Sequence, residues 1–175
     1  MKRLALVAVL CAAIPSTAAA QSVYVGAGVG PAVNMDDWPN QVRIELEIGA
    51  YFGGGPRGFF LSFAPAQSWG NDWWVLVFPL RLGAMFDIFR NADVSVQLGP
   101  TGAVGLALSD QFNTGDRPDL WFHFSVAFML RILLMNDRLA IYLRPVGFEF
   151  AIGDTGRYGN EAIRYLAGAG INYYF

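Results

Sequence analysis

From Val42 to Phe52 every second residue is apolar. Val42, Ile44, Leu46, Ile48, Ala50 and Phe52 interleave with Arg43, Glu45, Glu47, Gly49 and Tyr51. Successive residues of a strand point to opposite faces, so the segment has one wholly apolar face and one that carries three charges. A helix would scatter both sets around its axis. The pattern returns at the C-terminus, where Ile163, Tyr165, Ala167, Ala169, Ile171, Tyr173 and Phe175 alternate with Arg164, Leu166, Gly168, Gly170, Asn172 and Tyr174. It returns again over 94–108, with Ser95, Gln97 and Thr101 on the polar face.

Two further runs keep one face fully apolar. In 120–134 the even positions are all large and apolar, while the odd ones include His123, Ser125 and Arg131. In 73–86 the even positions are again apolar, and Arg81 and Gly83 lie on the other face. A membrane helix over 120–135 is too short and would have to accommodate Arg131. Strands are also expected at 23–30, 59–66 and 139–152, the last with a one-residue slip near Pro145, which cannot donate to a ladder. The count is eight strands and no helix.

Composition narrows what eight strands can be. Hydrophobic residues make up 54% of the chain and charged ones 15%, with mean hydropathy +0.36. That is too apolar for disorder. The net charge of −2 excludes the basic balance of a nucleic-acid binder. No apolar run reaches the roughly 18 to 20 residues that a spanning helix needs, so the hydrophobicity is divided among short segments.

Residues 1–20 have the layout of a cleaved signal peptide. Lys2 and Arg3 precede the apolar run Leu4 to Ile14, Pro15 and Ser16 break it, and Thr17-Ala18-Ala19-Ala20 supplies a small-residue cleavage site. Cys11, the single cysteine, lies inside the apolar run behind Leu10, which does not suit lipidation. The expected mature chain, 21–175, therefore has no thiol chemistry, disulfide or Cys-based metal site.

A soluble barrel would turn its large apolar residues inward, whereas an outer-membrane barrel turns them toward lipid. The membrane version is favoured here. The apolar faces run for about 9 to 11 residues, enough for a tilted strand to cross, and the opposite faces are rich in glycine, alanine and serine. With both termini in the periplasm, the outer connections are 31–40, 67–72, 109–119 and 153–161, and the periplasmic turns are 53–58, 87–93 and 135–138. Trp38, Trp69, Trp73, Trp74 and Trp121 then fall on or beside the outer rim, while Phe52, Phe59, Phe86 and Tyr173 lie toward the other. Two aromatic belts are expected of such a barrel.

The ending Gly170-Ile171-Asn172-Tyr173-Tyr174-Phe175 resembles the C-terminal recognition signal of bacterial outer-membrane barrels, carried by Gly170, Ile171, Tyr173 and Phe175. With the signal peptide and eight strands, the chain resembles the small barrels of the OmpA transmembrane-domain and OmpX type. The expected fold is an all-β, eight-stranded antiparallel up-and-down transmembrane barrel. The resemblance implies a location in the bacterial outer membrane, contact with lipid and lipopolysaccharide, and insertion by the barrel-assembly machinery. It carries over no catalytic residue, cofactor or metal, and it sets no oligomeric state.

Alternation places Arg43, Glu45, Glu47, Arg81, His123, Arg131, Arg144, Glu149 and Arg164 in the lumen, with Ser125 beside them: five arginines against three glutamates. Eight strands leave an interior that side chains can fill. The first reading is therefore a salt-bridge network plugging a barrel with a structural or surface-interaction role. The alternative is a narrow pore for small anions. A third reading starts from His123-Phe124-Ser125, which resembles the His-x-Ser of outer-membrane lipid A deacylases. It lies far from the C-terminus, where that family carries the pair, both side chains turn inward, and the next acid in sequence, Asp137, is in a distant turn. Outside, Asp36, Asp37, Asp72, Asp110, Asp116, Asp119, Asp154 and Glu161 outnumber Arg117 and Arg157. Such loops could hold divalent cations, but no EF-hand-like spacing occurs.

Overall fold

In the computed structural model, which describes residues 22–35, 40–53, 55–70, 73–111, 119–153 and 161–175, no helix occurs among the described residues. The segments are β1 (Ser22–Asn34), β2 (Gln41–Tyr51), β3 (Gly58–Phe63), β4 (Ala66–Trp69), β5 (Trp73–Arg90), β6 (Ser95–Gln111), β7 (Asp119–Leu134), β8 (Leu139–Gly153), β9 (Glu161–Leu166) and β10 (Gly168–Tyr174). The signal-peptide reading of 1–20 lies outside the described residues. So do Trp38 and most of the acidic loop residues.

Ten segments make eight staves. β3 and β4 form one stave, both pairing with β2 and β5, and β9 and β10 form another, both pairing with β8 and β1. The first interruption falls at Pro65, which has no N–H to give, although its carbonyl still accepts from Leu46 N at 2.9 Å. Every pairing is antiparallel, and β1 joins both β2 and the last stave. The sheet closes on itself and leaves no free edge.

Alternation sets the faces as expected. Along β2, Gln41, Arg43, Glu45, Glu47 and Tyr51 are buried while Val42, Ile44 and Leu46 are exposed. The outer surface carries Leu80, Leu82, Val104, Leu106, Phe122, Phe124, Phe128, Ile141 and Ile171. An exposed apolar band of this extent has no place in water. The slip near Pro145 is present: the β7–β8 register shifts between Phe128 and Leu130, returning the inward parity from Tyr142 and Arg144 to Gly147 and Glu149.

Several details differ from the sequence reading: β1 runs on to Asn34 and β6 to Gln111, and β4 occupies the start of the connection expected over 67–72, so strand pairing extends into the outer connections. β5 does not stop near Phe86 but runs to Arg90, across an irregularity between Asp87 and Phe89. The extension holds because Asp87 accepts from Ser95 Oγ at 2.8 Å and Gln97 Nε2 at 2.7 Å, so a carboxylate is satisfied inside the ladder. Trp121, expected with the rim aromatics, faces inward and is 2% exposed, its indole N–H donating to Ser109 Oγ at 2.6 Å. Its odd position on β7 puts it with His123 and Ser125 rather than with Leu120 and Phe122.

Candidate functional site: the lumenal charge network

Glu45 is the hub of the interior. Arg81, on β5, donates through both terminal nitrogens to its two oxygens at 2.9 and 2.8 Å, the planar bidentate arrangement that suits guanidinium and carboxylate. Arg144, on β8, donates to Glu45 at 2.8 Å, and Arg43 stands 3.7 Å away. One carboxylate therefore ties three staves. Glu47, two residues along the same inward face, is 3.1 Å from Arg81 and accepts from the Tyr24 hydroxyl at 2.7 Å and Ser62 Oγ at 2.5 Å.

Glu149 forms a second node toward the loop end. It accepts from Arg43 at 2.5 Å, contacts Arg164, and lies 2.7 Å from His123 Nε2. Arg164 also donates to Gln41 Oε1 at 3.0 Å. Arg43 belongs to both nodes, so Arg43, Glu45, Glu47, Arg81, His123, Arg144, Glu149 and Arg164 form one connected set. The four arginines exceed the three glutamates by one charge.

Arg131 stands apart at the turn end, completely buried. Its guanidinium donates to the hydroxyls of Tyr51 and Tyr174, to Gln97 Oε1 and, at 2.8 Å, to the Pro56 carbonyl. Its carbon lies 4.9 Å from the Tyr51 ring centroid and 5.5 Å from that of Tyr174, within cation–π range. Tyr24 and Phe60 pack beside them, with centroid separations of 5.6 Å for Tyr24–Tyr51 and 5.1 Å for Tyr51–Phe60. Below this box, Arg57 bridges Asp87 at 2.9 Å and Asp137 at 2.5 Å, strapping the turn after β2 across the barrel mouth. The inward tyrosines share parity with the charged residues, and that parity was the sequence signal for them.

The glycines of β1 and β10 make room for this interior. A Cβ on Gly28 or Gly170 would meet the Tyr142 phenol. Gly28→Ala is expected to displace Tyr142 and to cost about 1–3 kcal/mol of overpacking, read as a lower urea midpoint in lipid vesicles.

His123 and Ser125 share the inward face of β7, but His123 Nε2 is engaged by Glu149 and its Nδ1 has no hydrogen-bond partner. The serine–histidine hydrogen bond that activates a nucleophile is not made. Asp137 serves Arg57 instead. Among the described residues, no group of three or more His, Cys, Asp or Glu side chains could hold a metal ion. Ile171, Tyr173 and Phe175 of the C-terminal ending are exposed on the outer face, with the Tyr173 and Phe175 rings 5.2 Å apart.

The closed ring of eight staves, apolar outside and charged inside, defines the class: a transmembrane-type β-barrel. No protein-family model matches the chain, and no curated protein matches it in sequence. Solved structures do. The chain is similar to Neisserial surface protein A at TM-score 0.57 and 10% identity, covering 88% of this chain and 96% of that one. It is similar to the N-terminal β-barrel domain of Pseudomonas aeruginosa OprF at TM-score 0.58 and 12% identity, covering 89% and 98%. The outer membrane enzyme PagL is similar at TM-score 0.50 and 11% identity, covering 84% and 97%. The fold is that of the small eight-stranded outer-membrane barrels.

Proposed function

We propose that the chain is an integral protein of the bacterial outer membrane, with a structural or surface-interaction role and a plugged lumen. The observation that carries this reading is the connected network around Glu45 and Glu149, which links β2 to β5, β7, β8 and β9 across the interior. Two cavities nearby measure ≈ 10 and ≈ 20 Å³, room for about one or two waters. Lipid and lipopolysaccharide are its surroundings, reached through the signal peptide at 1–20 and the barrel-assembly machinery acting on Gly170, Ile171, Tyr173 and Phe175.

The test has two parts. The protein in the outer-membrane fraction is expected to migrate faster on a gel before heating than after, as a folded barrel does. In planar bilayers the purified protein is expected to conduct negligibly. The surplus of arginine favours an anion pore as the second reading, and a steady anion-selective conductance, abolished by neutralising Arg81 and Arg131, would replace the plug with it. A lipid A-modifying esterase would show itself as altered lipid A mass spectra on overexpression, and unchanged spectra are expected.

A further inference from the structure

The charges inside the barrel do not balance. The connected set holds Arg43, Arg81, Arg144 and Arg164 against Glu45, Glu47 and Glu149, and each of these is 7% exposed or less. Arg131, at the turn end, adds a cation whose contacts are two hydroxyls, an amide oxygen and a backbone carbonyl. A buried charge without a partner of opposite sign is costly. The surplus of positive charge therefore calls for an anion that the described side chains of the network do not supply.

The place for it is the loop end of the network. A cavity of ≈ 20 Å³ lies there against Arg164, with Asn34, Ser109 and Trp121 as its other polar lining and small apolar side chains for the rest. None of the described residues that line it is a carboxylate. Ser109 Oγ accepts from the Trp121 indole at 2.6 Å, which leaves the hydroxyl proton of Ser109 to be given elsewhere. Two more donors on this layer have no hydrogen-bond partner: Gln41 Nε2 and Ser68 Oγ, in side chains 4% and 0% exposed. Gln41 is tied to Arg164 through its other amide atom, Oε1, at 3.0 Å. Ser68 is the direct Cα partner of Val75 in the cavity wall. Buried polar groups nearly always find partners, so orphaned donors beside a cavity without a carboxylate mark a missing acceptor.

We propose that this cavity is a binding site for one monatomic anion, a halide, held by Arg164 and the Ser109 hydroxyl with Gln41 Nε2 and Ser68 Oγ beside it. The volume admits an ion little larger than a water and is too small for an oxyanion such as sulfate. A water there would accept the same hydrogen bonds, but only an anion also offsets the surplus charge. On its inner side Arg164 and Gln41 lead directly into the Glu149 node, so the ion is held and not passed. The site goes beyond the plugged-lumen reading by giving the plug a counter-ion. It is tested in detergent solution, apart from conductance, so that either can fail alone.

The probe is chloride, followed by the width of its NMR line with the protein folded in a neutral polyoxyethylene detergent and gluconate buffer. The protein is expected to broaden the line, and bromide to narrow it again saturably, while sulfate leaves it broad. Gln41→Glu sets a carboxylate beside Arg164 and supplies the missing charge from within, so it is expected to weaken halide binding by about tenfold or more. Ser109→Ala removes one donor and is expected to weaken it by about threefold or more. Ser95→Ala, at the turn end, is expected to leave it unchanged. Crystals soaked in bromide are expected to show one anomalous peak against Arg164, absent in Gln41→Glu. Heat-modifiable migration checks that each variant is folded. The proposal is overturned if the broadening does not saturate, if sulfate displaces chloride as well as bromide does, if neither Gln41→Glu nor Ser109→Ala weakens binding, or if the cavity holds water alone in the bromide crystals.

Discussion

Glu45→Gln is expected to lower the unfolding free energy in lipid vesicles by about 3–5 kcal/mol, the usual cost of removing one partner from a buried ionic cluster. The substitution keeps the shape of the side chain and removes its charge. Arg144 then loses the carboxylate it holds at 2.8 Å, Arg81 keeps only Glu47 at 3.1 Å and Arg43 only Glu149 at 2.5 Å, and one amide N–H₂ points at guanidinium donors. Because Glu45 ties β2, β5 and β8 together, the loss should appear in both the urea midpoint and the heat-modifiable gel shift. Adding Arg144→Met to Glu45→Gln removes the stranded charge and is expected to recover part of the loss, a coupling that a double-mutant cycle measures. A loss below about 1 kcal/mol would mean that the arginines reach bulk water, and the plugged lumen would give way to a hydrated one.

That expectation could not be written from sequence alone, although its participants could. Period-two alternation needs only the local chain, and it put Arg43, Glu45, Glu47, Arg81, His123, Arg131, Arg144, Glu149 and Arg164 on inward faces. Pairing needs register and closure. Arg43 meets Glu149 across 106 residues of sequence, a contact that exists only because β9 and β10 return to β1. The same limit hid the different situation of Arg131. Its partners Tyr51 and Tyr174 stand 80 and 43 residues away, and they solvate a cation with hydroxyls and ring faces, where a search for charge looks for a carboxylate. The nearest carboxylate in its chain of contacts is Asp87, reached through Gln97. The bulge at Pro145 was legible because a proline without an N–H and a parity change coincide locally. The break at Ala167 was not, because parity continues through it from Arg164 to Tyr174. Only the prolines on the neighbouring staves reveal it.

The apolar surface leads to the second large effect, and that effect depends on depth. Leu80 sits midway along β5, 53% exposed, opposite Val104 on the same outer face. Leu120 is 58% exposed at the start of β7, beside the loop end. In water the two would be equivalent surface leucines, and arginine at either would be nearly neutral. In a bilayer they differ, because an arginine near the midplane costs about 2–4 kcal/mol and one near the interface about 0–1 kcal/mol, where its side chain can reach head groups. Leu80→Arg is therefore expected to destabilise the folded barrel in vesicles by about 2–4 kcal/mol and Leu120→Arg by about 1 kcal/mol or less, as read by urea titration. In detergent micelles, whose apolar region deforms around a charge, the gap between the two should narrow. Equal and small effects in vesicles would mean that this face does not meet hydrocarbon. The alternation along β5 would then need an apolar partner surface, in place of lipid, to cover it.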